Sequence, residues 1–163
     1  MNDVYQWFSF AGQDAALFII SMIPVVELRG AVILGAAMDM AWHKVFIISV
    51  LGNLLPIPFV LLFIKKVLYM LKRFPAFAGF IRWYEGRLVS RSEKFGAVSF
   101  WALALFVSIP LPGTGAWTGA GVAAFLNMRL RTAFPAIVLG VLIAGVVMTA
   151  GAYGVANILK AFP

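Results

Sequence analysis

Four long apolar segments, separated by short polar stretches, set the pattern of the chain. They cover residues 15–38, 45–71, 97–128 and 133–159. A helix that spans a membrane needs about 20 apolar residues, so each segment is long enough to cross. Hydrophobic residues make up 63% of the sequence and charged residues 12%, whereas a soluble domain has about half and about a quarter. The pattern therefore predicts an all-α integral membrane protein.

The first and third segments are interrupted near their middle by prolines, glycines and charges. The interrupting residues are Pro24, Glu27, Arg29 and Gly30 in the first segment and Pro110, Pro112, Gly113 and Gly115 in the third. At membrane depth such residues are tolerated only where they face protein or a water-filled cavity. We therefore expect the functional site there. Pro56 and Pro58 in the second segment predict only a bend.

The positive charges predict how the broken segments are oriented. Most basic residues lie between the second and third segments, namely Lys65, Lys66, Lys72, Arg73, Arg82, Arg87, Arg91 and Lys94. Cytoplasmic loops are enriched in Lys and Arg. Two re-entrant hairpins would place this cluster on the same face as Arg129 and Arg131, whereas four full spans would divide the basic residues. We expect hairpins, with both termini outside and the basic linker on the cytoplasmic side of a prokaryotic inner membrane; four plain spans remain the alternative.

The two halves resemble each other weakly. Residues 21–24 align with 107–110 and 35–37 with 121–123 at a spacing of 86, and 50–52 align with 138–140 at 88. This predicts two inverted repeats, as in many secondary transporters. The first repeat is 1–71, with hairpin 15–38 and transmembrane helix 45–71; the second is 97–163, with hairpin 97–128 and transmembrane helix 133–159.

The linker at 72–96 has an apolar stripe at helical spacing, formed by Phe77, Ile81, Tyr84 and Leu88. A stripe of this kind predicts a helix in the plane of the lipid headgroups. A solvated linker is the alternative.

Glu27 and Arg29 are the first candidates for chemistry. Arg29 is suited to hold a phosphate or carboxylate in a two-pronged hydrogen bond, and an intramembrane acid such as Glu27 is typical of proton relays. Residues two apart do not share a helix face, so we expect different roles. The alternative is that the two only neutralise each other or pin the hairpin.

The second break offers complementary groups. A helix that restarts after Gly115 would present free N–H groups and a positive dipole end, which favour an anion. Gly113 allows close backbone approach, and the other candidate substrate ligands are Ser108, Thr114, Trp117, Thr118 and Asn53. Tight packing through small residues is the alternative for the glycines, and a bond between helices is the alternative for Asn53.

Several classes of function are disfavoured. The chain has no cysteine and one histidine, His43, so we expect no metal site, no disulfide and no cofactor. His43 lies at a segment boundary, and Glu27 has no second carboxylate in the middle of a segment, so we expect no enzyme. The net charge of +7 is explained by membrane topology, and no nucleic-acid partner is expected.

Residues 24–30 together with 110–119 resemble the bacterial and archaeal family of putative small multidrug export proteins. That family is similar to the DedA group, whose two re-entrant hairpins are linked to lipid flipping. The resemblance implies that Glu27 and Arg29 match the acidic and basic hairpin positions of that group. A drug pump of the small four-helix type would instead have its glutamate in an unbroken first span.

We therefore expect a transporter or lipid flippase for an anionic amphipathic substrate, with polyprenyl phosphate the leading candidate. Arg29 and the backbone of 113–119 would hold the phosphate, and Glu27 would exchange a proton. A small multidrug exporter and a non-transporting membrane scaffold are the alternatives. We also expect a homodimer, because two spans and two hairpins leave little protein to cover the breaks, and the small residues of 140–154 suit close helix packing.

Overall fold

The computed structural model describes residues 2–71, 95–111 and 113–161, and within these residues the chain is helical with no strand. The helices are α1 (Asn2–Met22), α2 (Glu27–Ala37), α3 (Trp42–Leu54), α4 (Ile57–Leu71), α5 (Phe95–Ser108), α6 (Ala116–Phe125) and α7 (Leu130–Ala161). Pro112 and all but the last two residues of the predicted interfacial helix at 72–96 lie outside the described residues.

Two helical stretches in the described part of the chain are long and apolar enough to cross a membrane. They are Trp42–Val67, which joins α3 to α4, and Leu130–Val155 in α7. A turn at Leu55 and Pro56 separates α3 from α4, as expected for a proline that cannot donate an N–H to the preceding turn. The predicted span at 45–71 is therefore two helices that begin at Trp42.

Each broken segment consists of two helices joined by a break. α1 ends at Met22 and α5 at Ser108, in each case two residues before a proline, because the residue that precedes proline disfavours helical angles. The first helix of the first broken segment, α1, begins earlier than predicted, at Asn2 instead of residue 15. α6 begins at Ala116, directly after Gly115, as the sequence predicts.

The turns after the short helices recur at a spacing of 88 residues. Met40 N–H donates to Gly35 O at 3.1 Å, and Met128 N–H donates to Ala123 O at 2.9 Å. The residue before each methionine has a left-handed φ, 55° in one turn and 52° in the other. Before the breaks the spacing is 86, so matching positions on the two sides of the break are two residues further apart in the second half; between the helix bounds, the breaks are 23–26 and 109–115. Residues 35–37 therefore correspond to 123–125, which corrects the alignment with 121–123.

Close helix contacts recur at the same spacing. At Gly52 in α3, a Cβ would overlap Ser21 Oγ and Phe18 O of α1. At Gly140 in α7, a Cβ would overlap Val107 of α5. Glycine at each position lets α1 lie directly against α3, and α5 directly against α7.

The two halves also hold each other at their ends. Lys65 Nζ donates to Met128 O, and Tyr153 Oη donates to Met40 O at 2.7 Å. The two donors, Lys65 and Tyr153, are 88 residues apart, and so are the two acceptors, Met40 and Met128. Met40 precedes α3 and Met128 precedes α7. The stretch formed by α3 and α4 therefore ends near the beginning of α7, and α7 ends near the beginning of α3, so the two run antiparallel.

The short helices after the breaks lie between the halves. α2 packs against α1 and α3 of its own half and against α7 of the other, whereas α6 packs against α4, α5 and α7. Ala31 and Val32 of α2 and Ala120 and Ala123 of α6 are fully buried. The beginning of each short helix therefore reaches the boundary between the halves, where the site lies.

Candidate functional site

The guanidinium of Arg29 binds the backbone of the second break. Nη1 donates to Leu111 O at 2.8 Å and Nη2 to Ile109 O at 2.8 Å. Nη2 also lies at Thr114, where it donates to the carbonyl oxygen and, at 3.2 Å, to Oγ1. Carbonyls that follow the end of α5 have no partner within that helix, and a cation is favourable beside such an end. Arg29 therefore caps the C-terminal end of α5.

The carboxylate of Glu27 binds the beginning of α6. Oε1 accepts a hydrogen bond from Trp117 N–H at 3.2 Å, and Glu27 is only 6% exposed. Gly115 lies so close that a Cβ there would overlap the carboxylate. An anion is favourable at a helix N-terminus, where backbone N–H groups have no partner in the helix. That position is occupied by the protein's own Glu27.

The two charges act on opposite helix ends while remaining close to each other. Arg29 Nη1 and Glu27 Oε2 are 4.0 Å apart. Both residues belong to α2, yet Arg29 contacts the end of α5 and Glu27 the start of α6. The prediction that they have different tasks agrees with this geometry, and the ion pair shows that they also compensate each other's charge.

The hydroxyl groups of the second break bond to its own backbone. Thr114 Oγ1 donates to Ile109 O at 2.7 Å and is 2.9 Å from Leu111 O. Ser108 Oγ donates to Leu105 O at 2.8 Å. Thr118 Oγ1 accepts from the N–H of the residue before α6 at 2.7 Å. The hydroxyls predicted to bind substrate therefore first stabilise the break itself.

Two buried polar atoms near the breaks have no hydrogen-bond partner in the described residues, Asn53 Oδ1 and Trp117 Nε1. Asn53 is 2% exposed and borders a cavity of about 10 Å³ beside Glu27 and Arg29. The structure thus brings Asn53 to the charged pair, as the lining role predicts. Trp117 packs against the hydrophobic core.

The remaining predicted residues lie around this centre. Gly113 is exposed with a left-handed φ of 85°, and Pro24 and Pro110 lie in the breaks. His43 is exposed at the start of α3, with its ring perpendicular to that of Trp42 at a centroid distance of 5.6 Å. An interfacial place for His43 agrees with these observations.

Sequence reasoning missed Lys65 and Tyr153 as links between the halves. The signal was present, because extending the 88-residue spacing beyond 52 pairs these two positions. Among the described residues, no group of three acidic or histidine side chains is placed to hold a metal ion.

Comparison of the sequence with known protein families identifies the family of this chain. A family profile described as "Putative small multi-drug export protein" matches residues 27–147, more than half of the chain. Neither the curated proteins nor the solved structures give a match. The matched region begins at Glu27 and contains the whole second break and most of both long apolar stretches. This chain therefore belongs to the putative small multi-drug export protein family, and it is a membrane protein.

Proposed function

We propose that the protein is a proton-coupled transporter or lipid flippase that moves an anionic amphipathic substrate past a site between two inverted re-entrant hairpins. Membership of an export family and two long apolar helices support transport. The position of Glu27 and Arg29 at the second break supports the choice of substrate charge and coupling ion.

The first hairpin is supported by an ion pair at one end of the molecule. Asp14 Oδ2 of α1 is 2.9 Å from Lys44 Nζ at the start of α3. Gly35, near the end of α2, lies against Val45, the residue after Lys44. The middle of α1 and the end of α2 therefore lie at the same level, as expected for a hairpin. With 11 residues at 1.5 Å each, α2 is about 16 Å long, roughly half of a hydrocarbon core of about 30 Å. The first break would thus lie near the middle of the membrane.

The inverted arrangement is supported by the links between the halves. Lys65 bonds to the turn at Met128 and Tyr153 to the turn at Met40, so these two turns lie at opposite ends of the antiparallel long helices. Arg129 and Arg131 adjoin the turn that Lys65 reaches. Three basic residues thus share one end, which is cytoplasmic under the positive-inside rule.

A single observation carries the proposed mechanism: the carboxylate of Glu27 occupies the N-terminus of α6 through Trp117 N–H. Protonation would remove the negative charge that this helix end attracts. The N-terminus of α6 would then be open to a phosphate, and Arg29 is within reach as a second ligand. Proton binding and anion binding at this site are therefore coupled, because the internal carboxylate and the substrate anion compete for the same groups.

The test is transport into proteoliposomes that contain the purified protein. Labelled polyprenyl phosphate should cross faster than in empty liposomes, and an imposed proton gradient should change the rate. Glu27→Gln should transport without responding to the gradient. A cationic dye that moves while the lipid phosphate does not would contradict an anionic substrate. It would favour the drug exporter suggested by the family description.

We further propose that the functional unit is a homodimer in contact through the distal half of α7. Gly140 and Gly145 pack against helices of their own chain, whereas Gly151 and Gly154 have open space where a Cβ would stand. Small residues with open space let a second helix approach closely. Mass measurement in lipid nanodiscs should give two chains of 17.8 kDa; an active single chain would contradict the proposal.

A further inference from the structure

A small cavity lies where both halves meet. The first half contributes Glu27, Arg29 and Asn53 to its wall, and the second half contributes Gly115, Val141 and Ala144. Several of these positions are 88 residues apart: Glu27 matches Gly115, and Asn53 matches Val141. The first half supplies every charged or amide side chain of the wall, and the second half supplies glycine and aliphatic groups at the matching positions. The cavity therefore has one polar side and one apolar side.

Asn53 is the group in this wall that lacks a partner. Its side chain is 98% buried, since only 2% is exposed, and Oδ1 accepts no hydrogen bond from the described residues. Buried polar atoms of this kind are almost always paired with protein or ordered water. A carboxylate has no proton to donate to an amide oxygen, whereas a carboxylic acid has one. Of the side chains in this wall, Arg29 donates to the carbonyls of the second break, and the protonated form of Glu27 is a further donor that could satisfy Asn53.

The size and composition of the cavity limit what it can hold. Its volume of about 10 Å³ is at the lower limit for a single water molecule. A calcium ion takes six or more oxygen ligands, but the side chains of this wall offer only the Glu27 carboxylate and Asn53 Oδ1. Arg29 Nη1, 4.0 Å from the carboxylate, also opposes a second cation. These features favour a proton over a metal ion.

We propose that Asn53 Oδ1 is the hydrogen-bond acceptor for protonated Glu27, directly or through one water, so that the cavity is a one-proton site between the halves. This rests on the proposed role of Glu27 as the proton carrier. The proton comes from water on one side of the membrane and returns to water on the other. In the deprotonated state Glu27 binds the N-terminus of α6; in the protonated state it binds Asn53 and leaves that N-terminus to the substrate anion.

Other titratable groups are distant from this cavity in the described residues. Arg29 is the charged neighbour of Glu27. On the helices packed against α2, the nearest titratable groups are Lys44 in α3 and Tyr153 in α7, each nine residues from a residue that lines the cavity, or about 13 Å along the helix at 1.5 Å per residue. Asp14 of α1 pairs with Lys44 at that same end. The response to acid at the cavity is therefore assigned to Glu27.

The experiment is infrared difference spectroscopy of the full chain in nanodiscs, between alkaline and acidic buffer, without substrate. A band of a protonated carboxyl should appear in acid and be absent in Glu27→Gln. In Asn53→Leu the band should move to higher frequency, because the carboxyl loses its hydrogen bond. Ser49→Ala is the matched control: Ser49 is one turn earlier in α3, is also buried and lacks a partner, but does not line the cavity. It should leave the band unchanged.

A second measurement does not depend on the folding of an Asn53 variant. Solid-state NMR of wild-type protein with ¹³C-labelled asparagine should show the Asn53 Cγ signal moving on acidification, and Glu27→Gln should abolish the movement. An unshifted band in Asn53→Leu, an immobile Cγ signal, or a carboxyl band that sodium chloride removes at constant pH would overturn the inference. Since neither measurement involves transport, a protein that moves no lipid phosphate but shows these changes would refute the proposed substrate and leave the proton site standing.

Discussion

The two helix breaks share one left-handed position but satisfy their polar groups in different ways. Val25 and Gly113 are 88 residues apart and have left-handed φ angles of 79° and 85°. In the first break, Glu27 N–H donates to Ile23 O at 3.0 Å, so the backbone bridges the gap between α1 and α2. In the second break, backbone bonds are supplemented by the side chain of Arg29, which donates to Ile109 O and Leu111 O.

The difference explains what the charged pair does at the second break. Free carbonyl and N–H groups at helix ends are costly where water is absent. The short break closes with its own backbone. The long break also has bonds from its own backbone and from the Thr114 hydroxyl, but it adds bonds from Arg29 and Glu27 of the other half. The charges near the first break therefore stabilise the second and link the two halves.

Labelling of single cysteines from the two sides of the membrane tests whether the two halves are inverted. Ala41 and Arg129 hold matching positions before α3 and α7, and both are exposed. In a chain without cysteine, Ala41→Cys should react with a membrane-impermeant reagent from outside only, and Arg129→Cys from the cytoplasmic side only. Reaction of both from the same side would exclude inversion. Intact cells and inverted vesicles give the two measurements.

Arg29→Ala should have the largest effect on stability. Removing one partner of a buried ion pair costs about 3–5 kcal/mol. The Arg29 side chain is 17% exposed, so we expect a loss at the lower end of that range, with the carbonyls after α5 losing one of their donors. Arg29→Lys should recover less than half, since a point charge cannot bond to several carbonyls at once. The measurement is reversible unfolding in mixed micelles. Arg131→Ala, an exposed arginine, is the control and should change the unfolding free energy by at most about 0.5 kcal/mol; equal losses for both arginines would remove the capping role.

Alanine at the two matching glycines would test whether the halves pack alike. Gly52→Ala and Gly140→Ala should each reduce the unfolding free energy by about 1–3 kcal/mol, the usual cost of overpacking, because the new Cβ overlaps the neighbouring arm. Gly121→Ala is the control, since a Cβ there meets open space, and alanine is the better helix former by about 1 kcal/mol. A large loss at one glycine and none at its match would show that the packing is not repeated.

Exchanging the residues at the two left-handed positions should have the smallest effect. Val25→Gly should stabilise the protein by about 1 kcal/mol or less, because valine is strained at positive φ, while glycine loses more entropy on folding. Gly113→Val should destabilise it by about 1–2 kcal/mol. The same unfolding assay applies to both. If Val25→Gly stabilises but slows transport, the strain serves the movement of the first hairpin.

Local patterns were sufficient to predict the helical fold and the positions of the breaks. Proline and glycine act on their own neighbourhood, so Pro24 and Pro110 predicted where α1 and α5 end, and Gly115 predicted the start of α6. The length of the apolar segments allowed four crossings, and the breaks together with the positive charges predicted two crossing helices. The structure differs in that α1 begins earlier and the second segment bends at Pro56.

The sequence by itself thus determined the helices, the breaks and the identity of the charged pair, because these depend on hydrophobicity and backbone geometry over a few residues. Only the tertiary structure decided what the charges bind. Arg29 meets Ile109 and Leu111, more than 80 positions away, and Glu27 meets Trp117. Such partners follow from how α2 packs between the halves. The change in spacing from 86 to 88 across the breaks moves every later position relative to its match. The spacing of residues within one segment therefore does not predict which residues Arg29 and Glu27 contact.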